Sequence, residues 1–302
     1  MKQVELKGII TPIITPMNPD ESINLEELRR QVERQIAGGV HALFPFGTNG
    51  EGYILTAGEK QKILETVVDQ CAGRVPVYAG TGCVSTKETI EQSKMAREAG
   101  ADVLSIITPS FAAASQNELY EHYRAVAEAV DMPIVLYNIP ARTGNALTPA
   151  TVGRLAQIEN IVGAKDSSGN FTTILGYIEA GKKKENGTFQ VLSGNDQLII
   201  WTLLAGGTGG IAGCANVYPY TMSSIYNLFV EGKIEEAKAA NASIASFRAC
   251  FQYGNPNTVV KTAVALLGYP VGACRAPFNQ VPEEGIAALK KVLEENTAKG
   301  MC

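Results

Sequence analysis

The chain has 302 residues, 45% hydrophobic and 19% charged, so it can bury a sizeable core and is not a disordered segment. Its 26 basic and 30 acidic residues leave a formal charge of -4, which argues against a nucleic-acid partner held by a basic face. It has two histidines, His41 and His122; a His-rich metal site is excluded, and a Ser-His-Asp triad would have to use one of them.

The first residues, Met1 to Lys7, carry no apolar core of a signal peptide, and no run of 18 apolar residues predicts a membrane span. Gly8 to Thr15 reads as a strand. Asn24 to Gly38 reads as a helix, with Asn24 as cap, Glu26 and Glu27 in its first turn and Gly38-Gly39 as its stop. The alternation continues with a strand over Ala42 to Gly47, a helix over Thr56 to Cys71 and a strand over Val75 to Thr81. A helix over Thr86 to Ala99, ended by Gly100, a strand over Asp102 to Thr108 and a helix over Gln116 to Val130 follow. Pro133 to Asn138 is the fifth strand, and Thr148-Pro149 opens another helix. Ile161 to Lys165, Phe189 to Ser193 and Gly210 to Ala215 complete eight strands, the last preceded by a tight turn at Gly206 to Gly210.

Eight strand–helix units with apolar strands predict a parallel sheet closed into a (β/α)8 TIM barrel. A doubly wound open sheet is the alternative, but Thr11-Pro12-Ile13-Ile14-Thr15-Pro16 follows the first strand where such folds commonly carry a Gly-rich phosphate loop. Tyr218 to Cys302 reads as helices broken at Glu231-Gly232, Gly254-Asn255-Pro256 and Gly268-Tyr269-Pro270. The predicted organisation is a catalytic barrel over 1–225 and a C-terminal helical extension over 226–302. Cys71, Cys83, Cys214, Cys250, Cys274 and Cys302 form no C-x-x-C pair, which predicts reduced thiols in a cytoplasmic protein.

Barrel activity sits at the carboxyl ends of the strands. Lys165 ends the sixth, and alternation puts it on one face with Ile161 and Gly163. An amine facing a poorly solvated interior loses its charged form more easily and can then attack a carbonyl; Gly163 beneath it would leave room for a substrate. Position alone leaves a second reading open, a lysine snorkelling at the strand end. Tyr137 ends the preceding strand and should neighbour Lys165, either as a proton shuttle or as a core tyrosine. Gly47-Thr48-Asn49-Gly50 is either a carboxylate nest or an ordinary turn. Arg142, on a loop, either clamps a carboxylate or pairs with a surface acid.

Tyr137-Asn138-Ile139-Pro140, then Gly163-Ala164-Lys165-Asp166 with the lysine 28 positions after the tyrosine, and Gly47-Thr48-Asn49-Gly50-Glu51 together resemble the dihydrodipicolinate synthase / N-acetylneuraminate lyase family. The resemblance runs from Gly8-Ile9-Ile10-Thr11-Pro12 to Arg275-Ala276-Pro277-Phe278. It implies a class I, metal-independent lyase or aldolase with no cofactor beyond a covalent Schiff base on Lys165. Its substrates would be pyruvate or another 2-oxo acid and an aldehyde, and its assembly a homo-oligomer, tetramer or dimer. Tyr137 would relay protons. Thr48, which would also be catalytic, and Asn49, beside Gly47, would hold the carboxylate next to the imine. Gly194 and the carbonyl of Ile211 would line the pyruvate site, and Arg142 would meet the aldehyde.

Two positions depart from the family pattern. Asn49 stands where a hydroxyl is usual. Phe111 stands where the synthase supplies a second tyrosine to the neighbouring subunit's site, and it cannot relay a proton. Gln197 and Cys214 argue against a sialic acid lyase, whereas Gly82 to Thr86 and Cys274 to Phe278 resemble that enzyme. The resulting expectation is an aldolase for a 4-hydroxy-2-oxo acid or a 2-keto-3-deoxy sugar acid. The alternative is the synthase itself, condensing pyruvate with aspartate semialdehyde. A sugar-acid dehydratase and a non-catalytic 2-oxo acid binder are further alternatives. Among the remaining residues, Glu51 is expected to hold its loop, and Asp166, Ser167 and Ser168 to cap the next helix. Asp196 and Gln197 are expected near substrate hydroxyls. His122 is expected at the surface or an interface and Trp201 packed, and His41 is assigned no role.

Overall fold

The computed structural model describes residues 4–302. In chain order the elements are β1 (Gly8–Thr11), α1 (Leu25–Ala37), β2 (Ala42–Leu43), α2 (Ala57–Cys71), β3 (Tyr78–Ala79), α3 (Thr86–Glu98) and β4 (Val103–Ile107). Next come α4 (Gln116–Ala129), β5 (Ile134–Asn138), α5 (Pro140–Thr143), α6 (Pro149–Ala156), β6 (Ile161–Asp166), α7 (Phe171–Gly181), β7 (Gln190–Ser193), α8 (Ile199–Leu204) and β8 (Gly209–Ile211). The chain continues with α9 (Pro219–Val230), α10 (Ile234–Ser243), α11 (Ala245–Ala249), α12 (Pro256–Leu266) and α13 (Glu283–Ala298). The strands lie in one sheet in the order β2-β1-β8-β7-β6-β5-β4-β3, and every described strand pair is parallel. The fold is a (β/α)8 TIM barrel with a helical C-terminal extension. No helix among the described residues is long and apolar enough to cross a membrane.

By compactness the chain divides into two units: the stretch ending at Gly8 with Pro76–Ile211, and Ile9–Val75 with Ala212–Cys302. In the first unit the strands are buried on both faces, which is why they read as continuous apolar runs: Leu104, Ile106, Val135, Leu136 and Ala164 are all inaccessible. Ser115 and Glu118 form a reciprocal capping box that starts α4. Gly163 has a different role from the one expected. A Cβ there would overlap the Gln190 carbonyl oxygen and stand 2.8 Å from Leu6 Cδ1. The glycine therefore admits Leu6, a buried plug whose backbone N–H donates to Gln190 Oε1 at 2.9 Å, and it leaves no substrate space there.

In the second unit, Asn24 accepts from the Glu27 N–H to start α1, and Thr56 and Glu59 form a capping box on α2. The strands are shorter than their apolar runs. After β1, Pro12 has no N–H to give a ladder, and the Ile14 N–H goes instead to Asn216 Oδ1 at 3.0 Å. After β2, Pro45 likewise breaks the ladder and Phe46 turns left-handed at φ 41. These early stops turn the strand ends into loops, and the loop after β2 carries Gly47, Thr48 and Asn49.

Candidate active site

In the first unit the β5–β6 register places Tyr137 opposite Lys165 and Asn138 opposite Asp166. Lys165 Nζ stands 3.8 Å from the centroid of the Tyr137 ring, within the range of a cation–π contact. Both side chains are buried, at 4% and 3% exposure. Gly194, just after β7, completes this cluster: a Cβ there would overlap Ser167 Oγ and stand 2.8 Å from Lys165 Cε. Only glycine lets the lysine lie so close to the end of β7. Ile211 ends β8 and is buried.

The residues facing away from this pair form a clamp that sequence reading missed. Asn138 Nδ2 donates to Asp166 Oδ1 at 2.7 Å, and Asn138 Oδ1 accepts from the Leu147 N–H at 3.0 Å. Asp166 Oδ2 accepts from the Ser168 hydroxyl at 2.6 Å. Burial, the largest influence, raises the Asp166 carboxyl above its usual value, against these lowering hydrogen bonds. The clamp ties together the two strand ends that carry Tyr137 and Lys165. The alternation that put Lys165 on the inner face also puts its neighbour on the other, so the signal was present. Asp166, Ser167 and Ser168 are not the cap of α7: Asn170 is, accepting from the Thr172 N–H.

Arg142 lies on the one-turn helix α5, not on an irregular loop, because Pro140 at the first position sets the helical φ; its side chain is exposed. Three positions on, buried Asn145 organises the loop after β4. It donates to the carbonyls of Pro109 and Ala112 at 2.9 and 2.8 Å and accepts from the Ala114 N–H at 2.8 Å. That loop presents Phe111 at φ 79 and 100% exposure. Asp196 is buried on a 3-10 turn and Gln197 is exposed. His122 is buried, not superficial: Nδ1 is 2.9 Å from the Thr86 hydroxyl, and desolvation lowers the imidazole to about 4. Trp201, on α8, is 47% exposed, so it packs only in part.

In the second unit, Gly47, Thr48 and Asn49 lie on the loop after β2. The turn is closed by Glu51 N–H to the Thr48 carbonyl at 3.1 Å and Gly52 N–H to the Gly47 carbonyl at 3.2 Å. Gly47 is packed on the Phe44 ring, and the Thr15 hydroxyl donates to the Gly50 carbonyl at 2.7 Å. Asn49 is half-buried, and its amide nitrogen lies 3.2 Å from where a Cβ on Gly213 would stand. Glu51 has the loop-holding role expected of it, through Lys261 and Arg275. Among the described residues no group of three or more His, Cys, Asp or Glu could hold a metal ion.

The dihydrodipicolinate synthetase family model matches residues 5–296. The chain belongs to that family. It is accordingly an enzyme of the lyase class. It is similar to the 4-hydroxy-tetrahydrodipicolinate synthase of Methanothrix thermoacetophila, 41% identical over 95% of this chain and 96% of that protein. An uncharacterized DapA-like lyase of Halobacterium salinarum is 34% identical over 96% and 94%. Among solved structures it is similar to YagE of E. coli K12, a prophage protein of the dihydrodipicolinic acid synthase family in complex with pyruvate. That match has a TM-score of 0.93 and 32% identity over 99% of this chain and 100% of that one. The Acinetobacter baumannii dihydrodipicolinate synthase complexed with pyruvate matches with a TM-score of 0.92 and 33% identity over 97% and 99%.

Proposed function

We propose that Lys165 forms a Schiff base with pyruvate, without metal or other cofactor, and that the enzyme makes or breaks a carbon–carbon bond between pyruvate and an aldehyde. The observation that carries the proposal is the buried Lys165 amine 3.8 Å from the Tyr137 ring at adjacent strand ends. The two relatives whose structures hold pyruvate support the same choice of 2-oxo acid. The neutral amine adds to the C2 carbonyl, and the carbinolamine loses water with Tyr137 relaying the proton. In the cleavage direction the imine is that of the longer 4-hydroxy-2-oxo acid: as its 4-hydroxyl gives up its proton, the electron pair of the C3–C4 bond passes to the protonated imine. Cleavage leaves an enamine and an aldehyde; condensation reverses the step. Thr48 and Asn49, with the backbone of Gly47, receive the pyruvate carboxylate. Gly194 and the Ile211 carbonyl shape the pyruvate site, and Arg142 receives the polar end of the aldehyde.

The aldehyde partner in this proposal gives a 4-hydroxy-2-oxo acid or a 2-keto-3-deoxy sugar acid. Asn49 supports it, as an amide in the carboxylate loop, and so does Phe111, which has no proton to relay. The names of the curated relatives favour a second reading, condensation with aspartate semialdehyde as in 4-hydroxy-tetrahydrodipicolinate synthase. Borohydride reduction in the presence of pyruvate tests the chemistry: the expected result is a mass adduct mapping to Lys165, and its absence overturns the mechanism. Pyruvate with a panel of aldehydes, read by product mass, separates the two condensations. Dehydration without aldehyde release would indicate a hydro-lyase, and binding without turnover a non-catalytic 2-oxo acid protein.

A homo-oligomer, tetramer or dimer, belongs to the same proposal. Its support is Phe111, fully exposed on a loop that Asn145 holds in order. Sedimentation showing only monomer would refute it. A cytoplasmic location is supported by six cysteines, none in a disulfide.

A further inference from the structure

The loop that carries Thr48 and Asn49 is held within its own unit by a buried ion pair. Glu51 is inaccessible and left-handed at φ 59. Its Oε1 accepts from Lys261 Nζ at 2.8 Å, and the two side chains are 0% and 1% exposed. Its Oε2 accepts from the Arg275 N–H at 2.8 Å. The guanidinium of Arg275 then spreads to Glu59 at 2.7 Å, the Ile54 carbonyl at 3.2 Å and the Glu21 carbonyl at 2.7 Å. Lys261 comes from α12 and Arg275 from the segment before α13, so the helical extension supplies both partners of Glu51.

A buried ion pair is weak as a source of stability, because desolvating two charges offsets their attraction. Such a pair does fix geometry, since leaving either charge alone inside the protein is costly. Here the fixed geometry is that of the turn itself. Glu51 is the residue whose N–H closes onto the Thr48 carbonyl. A Cβ on Gly52 would overlap the Phe46 carbonyl oxygen, and one on Gly50 would stand 2.8 Å from the Ile13 carbonyl oxygen. The turn is thus compressed from both sides, and its one buried charge is aimed at the extension.

We propose that Glu51 and Lys261 are positioning residues: they hold the Thr48–Asn49 turn in the form that receives the substrate carboxylate. The carboxylate part rests on the function proposed above. The test compares wild type with Lys261→Met and with the double variant Glu51→Gln/Lys261→Met. The double variant leaves no unpaired buried charge, so it keeps the experiment decisive if the single variant fails to fold. Two measurements are made on folded protein: hydrogen exchange of the amides of residues 47–52, and the dependence of borohydride trapping on pyruvate concentration.

The expected result is faster exchange confined to that loop and a half-saturating pyruvate concentration raised between about ten- and a hundredfold, with the limiting trapping rate kept. Unchanged exchange overturns the positioning role. Faster exchange with unchanged half-saturation overturns its link to the carboxylate. If wild type itself is not trapped by pyruvate, the proposed function fails, and the exchange measurement alone still decides whether the pair holds the loop.

Discussion

Replacing Gly194 with alanine perturbs the lysine's seat without removing any functional group. The added methyl would overlap Ser167 Oγ and stand 2.8 Å from Lys165 Cε and 2.9 Å from Ser167 Cβ. The serine hydroxyl can rotate away. Lys165 Cε has less freedom, because the amine is packed on the Tyr137 ring and the backbone is in register with both β5 and β7. Restoring a carbon–carbon separation of about 3.5–4.0 Å requires a shift of roughly 1 Å. Overpacking of this kind costs about 1–3 kcal/mol, and a misplacement of that size at a reacting group costs about 10²-fold in rate. Single-turnover borohydride trapping with pyruvate should therefore slow by between about ten- and a hundredfold, with a modest fall in melting temperature. Gly153→Ala is the control: its Cβ would meet only Ala180 Cβ at 3.6 Å within α6. That change should stabilise by about 0.8–1 kcal/mol through helix propensity and leave trapping unchanged. Trapping of Gly194→Ala at the wild-type rate would refute the close seat as a requirement of the chemistry.

Tyr137→Phe should lower turnover by about 10²–10⁴-fold with unaltered circular dichroism; unchanged kinetics would remove the tyrosine from the relay. Asn138→Ala leaves Asp166 Oδ1 buried without its donor. It should cost about 1–3 kcal/mol in urea unfolding and also slow trapping, and a loss of stability with no kinetic effect would limit the clamp to folding. Burial lowers the His122 imidazole to about 4 in the folded protein, against 6.5 for an ordinary histidine. The unfolded chain therefore takes up the proton first as pH falls. The stabilisation from this site is complete above pH 6.5 and is lost towards pH 4, about 3 kcal/mol in all. His122→Gln should flatten that part of the stability–pH curve, and an unchanged slope measured by denaturant titration would refute the assignment.

The elements that were legible in the sequence are those fixed by local chemistry. Thr56 with Glu59 and Asn24 with Glu27 are short-range capping pairs, and Thr148-Pro149 sets a first helical turn. The eight apolar runs marked eight strands because both strand faces are buried. Period-two alternation was enough to place Tyr137 and Lys165 on facing positions of adjacent strands. The same alternation contained the Asn138–Asp166 clamp. Local capping preference suggested a helix cap instead, because an Asp and two serines before a helix have that appearance.

What remained for the tertiary structure were contacts between residues distant in the chain and the packing that surrounds a glycine. Leu6 fills the space over Gly163 from 157 residues away, a proximity that no periodicity encodes. Lys261 reaches Glu51 across 210 positions, and the segment carrying it reads in sequence only as helical. Burial likewise ran against the reading of His122 and left Trp201 only partly covered, since a helical pattern shows which residues share a face but not which neighbour covers it. Sequence thus determined the strand–helix alternation and the lysine–tyrosine pair, because both follow from short-range geometry. Only the fold decided how closely Gly194 lets the lysine lie and what anchors the strand-two turn, because both depend on chain segments brought together by packing.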